Sequence, residues 1–361
     1  MNRIELLEEL KHLAPSTYEG EFRNHLSSIL STYLKIIKEF DGHSIFTDWD
    51  ETSAMIERLI ESIKISVKRI YQGQHSFAYS LIRKRLKELP ILYGTYYKVP
   101  KETNFFRMRV FDEKTRESPS RKGLFHIPFD KRGIVKTERY STPGYPCLYL
   151  GASSYVCWEE MNRPNLDKCY ISRFHTNKDF IIFNMGLPIE NLWDNNQYLK
   201  GMLIRYPMII ASMIEVKNMD DVFKPEYIIP QLLMEWIMEQ INSTNKENIP
   251  IGIFYTSVHI KDGFNYPNNM FNNLALPAQS PFNVKYSKEL CELFTVSKPT
   301  SDEIEHAKGS YNSADNIFIL KKDADEKEKK LHFYRCSPFG MIERQLIRNE
   351  KEYPLDNIKP K

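Results

Sequence analysis

The stretch TERYSTPGYPCLYLGASSYVCWEEM, residues 137–161, determines how the rest of the chain is interpreted. It contains a Pro-Gly turn, a strand-like run over residues 147–150 and a Ser-Ser pair that can cap a short helix. The predicted helix ends in two adjacent acids, Glu159 and Glu160, and Arg139 precedes the turn. A carboxylate and a guanidinium carried by a strand, a turn and a capped helix predict a site for a charged small molecule.

The composition indicates a folded protein without a nucleic-acid or membrane partner. Apolar residues make up 42% and charged residues 27% of the 361 residues, which excludes disorder over most of the length. The formal net charge of +3 is small for this size, so a nucleic-acid partner is not expected. The most apolar region, residues 202–216, is interrupted by Arg205 and Pro207 and is too short to span a bilayer.

The cysteines and the first residues predict a cytoplasmic protein. The five cysteines are widely spaced and include no CxxC pair, so we expect reduced thiols and no zinc or other metal site. The start, MNRIELLEEL, is acidic and amphipathic, unlike the basic and then apolar start of a secretory signal. We therefore expect the protein in the cytoplasm.

Residues 1–95 are predicted to form an N-terminal helical bundle. Apolar side chains recur at helical spacing in four segments, within residues 4–13, 26–37, 55–65 and 76–89. Before the fourth segment, RIYQGQH places Arg69 and His75 at an interval that resembles the signature of HEPN-type ribonuclease bundles. The alternative, in which Arg69 ends a helix and His75 lies in a turn, stays open.

From residue 96 the pattern changes, and residues 96–345 are predicted to form a mixed α+β domain. Helical patterns occur at residues 197–215 and, after Pro230, at 231–241, without a regular βαβ alternation or a GxGxxG motif. The charged segment 321–330 is predicted to be the exposed tip of a hairpin. The strand-like runs are residues 105–110, 147–150, 169–174, 180–183, 251–256, 317–320 and 331–334.

Several segments of this predicted domain carry polar residues in apolar surroundings. Arg107 lies in NFFRMRV, and because an unpaired buried charge is costly, it must face a partner. Arg109 shares its strand face by period two, so either arginine fits such a role. Ser257 ends the run IGIFYTSV, and Asn272 and Asn273 open FNNLALP.

Taken in order, these pieces resemble the core of RES domains, a family named for an Arg, a Glu and a Ser. Its pattern has an early strand Arg, an Arg-aromatic-x-x-Pro-Gly turn, a strand Tyr, a Glu eleven residues later and a late Gly-Ile-x-Tyr-x-Ser motif. The resemblance spans about residues 100–280, but Thr137-Glu138 and Tyr140-Ser141 replace the Gly-Gly and Trp-Asn that often flank the turn's Arg. The matching residues are Arg107, Arg139, Tyr149, Glu160, Gly252, Ile253, Tyr255 and Ser257.

The resemblance implies an ADP-ribosyltransferase-like fold and the breakdown of NAD+, which is then a substrate and not a cofactor. The nicotinamide–ribose bond would be cleaved through an oxocarbenium-like state that Glu160 stabilises, with water or inorganic phosphate as acceptor. Arginine forks suit the pyrophosphate, tyrosine rings can stack on nicotinamide, and Ser257 can bond its amide or ribose. The resemblance implies catalytic roles for Arg139, Glu160 and Ser257, and substrate binding by Arg107, Tyr140 and Tyr149.

Loss of NAD+ implies a toxin of a toxin–antitoxin or antiphage defence system, with a protein antitoxin or regulator as partner and self-association as a further expectation. Three alternatives stay open: mono-ADP-ribosyl transfer to a macromolecule, a HEPN-type RNase or interaction protein with a nucleotide-binding RES-like domain, and a non-catalytic binding protein. Within the site, Arg139 and Glu160 could instead form a structural ion pair. Glu159 is the alternative inward carboxylate, since adjacent helical residues point about 100° apart.

Overall fold

The computed structural model describes residues 1–90, 94–111, 119–243, 249–259, 270–279, 284–308, 326–348 and 353–354. The fold is α+β as predicted, with an N-terminal helical region followed by strands of mixed direction. Its likeness to ADP-ribosyltransferases stays a prediction. The helices are α1 (Arg3–Lys11), α2 (Phe22–Glu39), α3 (Trp49–Tyr71), α4 (His75–Glu88), α5 (Ser154–Glu160), α6 (Asn196–Ser212), α7 (Ile228–Ile241), α8 (Lys288–Leu293), α9 (Asp302–Ala307), α10 (Glu326–Cys336) and α11 (Pro338–Arg348). The strands are β1 (Tyr96–Val99), β2 (Asn104–Val110), β3 (Cys147–Gly151), β4 (Cys169–Thr176), β5 (Phe180–Met185), β6 (Pro250–Thr256), β7 (Asn272–Pro277), β8 (Phe294–Val296) and β9 (Tyr353–Pro354).

The chain divides into two compact units. The border after Tyr97 lies close to the predicted boundary between residues 95 and 96, but the chain returns to the first unit twice. The division into two successive domains, 1–95 and 96–345, stays a prediction. The first unit is Met1–Tyr97, Lys136–Pro143 and Ile181–Phe264, and the second is Lys98–Val135, Gly144–Phe180 and Asn265–Lys361.

The four helices predicted at the N-terminus are confirmed as α1–α4 in the first unit. α1 begins with a capping box, in which the Asn2 side chain accepts from the amides of Ile4 and Glu5 and the Glu5 carboxylate accepts from the Asn2 amide. α2 and α3 pack against α6, and α4 packs against α7. The apolar stripes of the N-terminal helices are therefore covered by helices from much later in the chain.

α6 is the most buried helix of the first unit, and Pro207 lies inside it. Proline has no amide hydrogen, so the carbonyl of Leu203, four residues earlier, loses its helical hydrogen bond. The Tyr33 hydroxyl of α2 donates to that carbonyl at 2.6 Å. This replacement bond lets the predicted helix continue through the proline. Like the other helices of the described ranges, α6 lacks the length and apolar character needed to cross a bilayer.

The second unit is built on antiparallel strands in the order β7-β3-β2-β4-β8-β9, whereas in the first unit the order is β1-β5-β6 with β5 parallel to β6. β2 pairs with β4 along its whole length, from Asn104↔His175 to Val110↔Cys169. One face of these strands carries Phe106, Met108 and Ile171, which pack against side chains of α11 and α5. This face positions α5 and the acids that it carries.

The prediction of a C-terminal hairpin is wrong for the residues that the structure describes, because they form a helix. Residues 331–334, predicted as a strand, lie inside α10, and residues 326–330 of the predicted tip form its first turns. Glu and Lys have high helix propensity, and α10 also packs on α11, so both effects outweigh four strand-prone residues. The partner run, residues 317–320, lies outside the described residues.

The helix predicted to begin after Pro230 is α7, which begins two residues earlier, at Ile228, so that Pro230 is its third residue.

Candidate active site

The connection from β3 to α5 brings the helix close to the strand. A Cβ atom at Gly151 would lie 2.6 Å from both Cys157 Sγ and Val156 Cγ1, so only glycine permits this approach. Ser153 caps α5 as predicted, because its Oγ accepts from the Val156 amide at 3.1 Å. The same hydroxyl donates to the carbonyl of Met270 at 2.7 Å. The Ser153 hydroxyl thus joins the first turn of α5 to the carbonyl of Met270.

Arg107 lies in β2 and contacts β3. Its Nη1 donates to the Tyr149 carbonyl at 3.0 Å, while its buried Nε has no hydrogen-bond partner among the described residues. Burial, and then the charge of Arg109, lowers the pKa of Arg107 to about 10, so the group is still a cation at neutral pH. Arg109 donates to the Gly123 carbonyl and lies over the ring of Phe111. Arg107 is therefore the arginine that contacts the strand of Tyr149.

Glu160, the last residue of α5, is held by β7. Its Oε1 accepts from Nδ2 of Asn273 at 2.7 Å, and Asn273 is paired with Gly151 across β3 and β7. The carboxylate therefore lies over the end of β3. Glu159 is 4% exposed, and its Oε2 accepts from Nε of Arg163 at 2.8 Å. The structure gives the two adjacent acids different partners and directs Glu160 toward the strands.

The thiol of Cys157 shows that Arg107 and Glu160 share one neighbourhood of the second unit. Its Sγ donates to the Phe106 carbonyl at 3.2 Å, beneath α5. Burial, as the largest cause, and the charges of Glu343 and Glu160 raise the pKa of Cys157 to about 12, against the opposing effects of a Gly151 backbone hydrogen bond and of the Arg107 charge. A single partly buried thiol is thus affected by both the predicted cation and the predicted carboxylate.

Arg139 lies in the first unit and binds the end of α6. Its Nη1 donates to the carbonyls of Ser212 at 2.6 Å and Ile214 at 3.3 Å. The guanidinium carbon lies 5.2 Å from the ring centre of Tyr227. The last carbonyls of a helix lack partners within the helix, so this cation stabilises the C-terminus of α6. The predicted catalytic arginine therefore has a structural role in its own unit.

Gln231 of α7 holds the loop that carries Arg139. Its Nε2 lies 3.0 Å from Thr137 Oγ1, 3.1 Å from the Glu138 carbonyl and 3.2 Å from the Ser141 carbonyl. The two hydrogens of one amide group are thus shared among three acceptors of a single turn. This contact fixes the turn against α7.

Tyr140 and Ser257, also in the first unit, are almost completely buried. Tyr140 is 1% exposed, and its ring centre lies 4.7 Å from that of Tyr255. Ser257 is 0% exposed, and its Oγ accepts from the His259 amide at 3.2 Å. Neither side chain presents surface to a ligand in this conformation, so the stacking and hydrogen-bonding roles that the resemblance implies stay predictions.

The six predicted residues thus fall into two groups. In the described ranges, no group of three or more His, Cys, Asp and Glu side chains is placed to bind a metal ion. The sequence indicates Asn273 and Gln231 as residues near the site but not what they hold, because their partners are 113 and 90 residues away. Arg107, Tyr149 and Glu160 lie in the second unit, and Arg139, Tyr140 and Ser257 lie in the first.

Arg69 closes the corner between α3 and α4. Its Nη1 donates to Oε1 of Gln74 at 2.9 Å and of Gln72 at 3.3 Å, and its guanidinium lies over the ring of Phe77. His75 is the exposed first residue of α4. Arg69 thus lies in the last turn of α3, close to the helix end that the alternative gives it, whereas His75 belongs to α4 and not to a turn. The HEPN resemblance stays a prediction.

Comparison with known proteins identifies a relative along most of the chain. Over 345 residues the chain is 30% identical to the protein named "Putative toxin YopC" of Bacillus subtilis (strain 168). This match covers 90% of the chain and 75% of the relative. No protein-family model and no solved structure matches the chain. Sequence identity of this degree over this length indicates shared ancestry. The chain therefore belongs to the family of Putative toxin YopC.

Proposed function

We propose that this chain is a toxin that consumes NAD+, cleaving the nicotinamide–ribose bond in the manner of RES domains. The observation that carries the proposal is the position of Glu160, which Asn273 holds over the end of β3 in the neighbourhood of the partly buried cation Arg107. A fixed carboxylate and a fixed cation are the charges that a cationic transition state on a pyrophosphate-bearing substrate requires.

The proposed reaction breaks one bond and forms one. The electron pair of the glycosidic bond leaves with nicotinamide, which departs as a neutral ring, and the ribose carbon develops oxocarbenium character. Glu160 stabilises this positive charge, as a carboxylate does in glycoside hydrolysis. Water then adds and loses a proton to give ADP-ribose, or inorganic phosphate adds to give ADP-ribose phosphate.

The supporting residues of the second unit have separate tasks in this proposal. Asn273 orients the carboxylate of Glu160 through the 2.7 Å bond. Arg107 supplies positive charge for the pyrophosphate, and its Nε is not used by any described residue. The half-buried ring of Tyr149 is the tyrosine of the site with surface for stacking.

The name of the relative and the resemblance to RES domains support the biological role. A relative named as a toxin, together with a reaction that removes a central metabolite, points to growth arrest by NAD+ depletion in the cytoplasm. A protein antitoxin or regulator that neutralises the activity is the expected partner. Homo-oligomer formation belongs to the same proposal.

The decisive experiment measures nicotinamide released from NAD+ by the purified chain, with and without inorganic phosphate. Glu160→Gln and Glu159→Gln form a matched pair, because the two acids are adjacent and only Glu160 is bound by Asn273. We expect Glu160→Gln to lower the rate by about a hundredfold or more and Glu159→Gln by less than about threefold. Arg107→Ala and Arg139→Ala in the same assay test the two arginines.

Three results would redirect the proposal. Loss of activity in Glu159→Gln with retention in Glu160→Gln would transfer the role to the other acid. Transfer of label from NAD+ to a macromolecule, in place of release as free ADP-ribose or its phosphate, would establish mono-ADP-ribosyl transfer. Binding of NAD+ without consumption by the folded chain would establish the binding-protein alternative.

A further inference from the structure

The C-terminal helix α11 reaches back to the N-terminus of α5, which carries Glu160 at its other end. Oε1 of Glu343 in α11 accepts from the backbone amide of Ser154 and from its hydroxyl, the latter at 2.8 Å. The Tyr334 hydroxyl of α10 donates to the same oxygen. One carboxylate oxygen thus joins α5, α10 and α11.

The bond to Ser154 adds to the capping of α5. The first amides of a helix have no partner within the helix, and Ser153 already serves the amide of Val156. Glu343 serves the amide of Ser154, which is the first residue of the helix. A carboxylate at this end also interacts favourably with the helix dipole. The anchoring group comes from a residue 189 positions later in the chain.

Apolar contacts place α11 over the same helix and the same strands. The ring of Phe339 lies 5.2 Å from that of Tyr155 and 5.3 Å from that of Trp158, both in α5. Ile342 and Leu346 of α11 belong to the hydrophobic cluster of β2 and β4. Because α11 packs on the strands and bonds α5, it fixes the helix relative to the strands.

The length of α5 makes its far end sensitive to this anchor. The helix has seven residues, too few to be stable without tertiary contacts. Ser154 and Glu160 are separated by a rise of about 9 Å, so a tilt of about 10° at the N-terminus would displace Glu160 by about 1.5 Å. A misplacement of about 1 Å can reduce an enzymatic rate by about a hundredfold.

We propose that Glu343 is a positioning residue for the candidate active site: by binding the N-terminus of α5, it sets the direction of Glu160 at the C-terminus. This inference rests on the proposed function. The helical hairpin α10–α11, which lies outside the part of the chain that resembles RES domains, then belongs to the working site. Glu343 touches no substrate in this account and acts only through α5.

The test compares variants of Glu343 in the nicotinamide-release assay. Glu343→Ala removes the acceptor oxygen, and we expect kcat to fall about tenfold or more with a smaller change in KM. Glu343→Gln retains an acceptor oxygen for all three donors, so we expect kcat within about threefold of the original. Ile347→Ala, at an exposed position of α11, is the control that leaves both constants unchanged.

A double variant separates positioning from general damage. If Glu343 acts through Glu160, Glu343→Ala lowers kcat in the original chain but has no further effect in the Glu160→Gln background. Equal effects in the two backgrounds would overturn the proposal, as would an unchanged kcat in Glu343→Ala.

Alkylation of Cys157, followed site by site by mass spectrometry without NAD+, monitors α5 directly. Its thiol lies under α5, and loosening the helix exposes it, so Glu343→Ala should raise its alkylation rate about tenfold while Cys147 in β3 stays constant. Equal rates of Cys157 alkylation in both chains would overturn the anchoring contact. A third outcome is that Glu343→Ala speeds the alkylation of Cys157 although the original chain releases no nicotinamide. It would confirm the anchoring contact but reject the proposed function, and the positioning role with it.

Discussion

Two ionisable side chains, one in each unit, have opposite surroundings. Arg205 in α6 is 1% exposed, and none of its Nε, Nη1 and Nη2 atoms has a hydrogen-bond partner among the described residues. Glu343 in α11 is only partly buried, yet three donors converge on its Oε1. The more deeply buried charge is therefore the one with fewer protein partners.

Burial alone therefore does not identify a functional charge. Burial lowers the pKa of Arg205 to about 10, with Tyr198 opposing the change, so at neutral pH the folded chain contains a cation that no described residue pairs. Such a group costs stability, whereas a satisfied carboxylate at a helix terminus holds structure in place.

The largest expected effect concerns His126, a third buried group whose ring nitrogens are both bonded. Its Nε2 accepts from the Ser287 amide at 3.0 Å, so Nδ1 carries the hydrogen and donates to the Ile127 carbonyl at 2.8 Å. Burial lowers the pKa of His126 from 6.5 to about 4. A depressed folded-state pKa means that stability is fully present above pH 6.5 and is lost as pH falls toward 4, by about 3 kcal/mol in total.

Urea unfolding of the original chain and His126→Gln between pH 7 and pH 4 would measure this loss. We expect His126→Gln to remove much of the pH dependence, while His25→Gln, at a less buried histidine whose pKa burial also lowers, removes less. An unchanged pH dependence in His126→Gln would mean that the pKa of this ring is the same in the folded and the unfolded chain.

Glu343→Ala should have the next largest effect on stability. It leaves the Ser154 amide and hydroxyl and the Tyr334 hydroxyl without their acceptor, which lowers the free energy of unfolding by about 2 kcal/mol. Glu343→Gln should lower it by less than about 1 kcal/mol, because an acceptor oxygen is retained. Urea unfolding at pH 7 measures both values, and equal losses would show that the charge matters more than the hydrogen bonds.

Arg205→Met should act in the opposite direction. Methionine has a similar length and no charge, so the change removes an unpaired buried cation from apolar surroundings and should raise the free energy of unfolding by about 1 kcal/mol or more. Lys200→Met, at a lysine of the same helix that pairs with Asp48, is the control and should give no such gain. A loss in Arg205→Met that inorganic phosphate accentuates would show that the guanidinium binds an anion.

The smallest effect is expected where a charged pair is exposed. Lys38 and Glu57 lie 3.2 Å apart with exposed fractions of 61% and 45%, so solvent and salt screen their attraction. Lys38→Ala should change the melting temperature by no more than about 2 °C. A larger loss would show that charge pairing at the surface contributes more here than at the partly buried Glu343.

Structure that depends on neighbouring residues could be predicted from the sequence, whereas contacts between residues far apart in the chain could not. The cap at Ser153 and strands β2 and β3 follow from neighbouring residues, so the sequence was sufficient to predict them. The strand-like run at residues 331–334 predicts a strand where the structure has α10, because the four residues carry no sign of the packing against α11 that favours the helix. The bonds from Asn273 to Glu160 and from Glu343 to Ser154 join positions 113 and 189 residues apart, and no sequence pattern specifies such pairs.

The hydroxyl of Tyr33 and the ring of Pro207 are linked through one carbonyl, that of Leu203. A homologue with an amide-bearing residue at position 207 regains the helical bond to that carbonyl, and it no longer needs a phenol at position 33. The two positions should therefore covary within the family, although they are far apart in the chain and belong to different helices. In the laboratory, Tyr33→Phe should be harmful in the original chain and nearly neutral once Pro207 has been replaced by alanine.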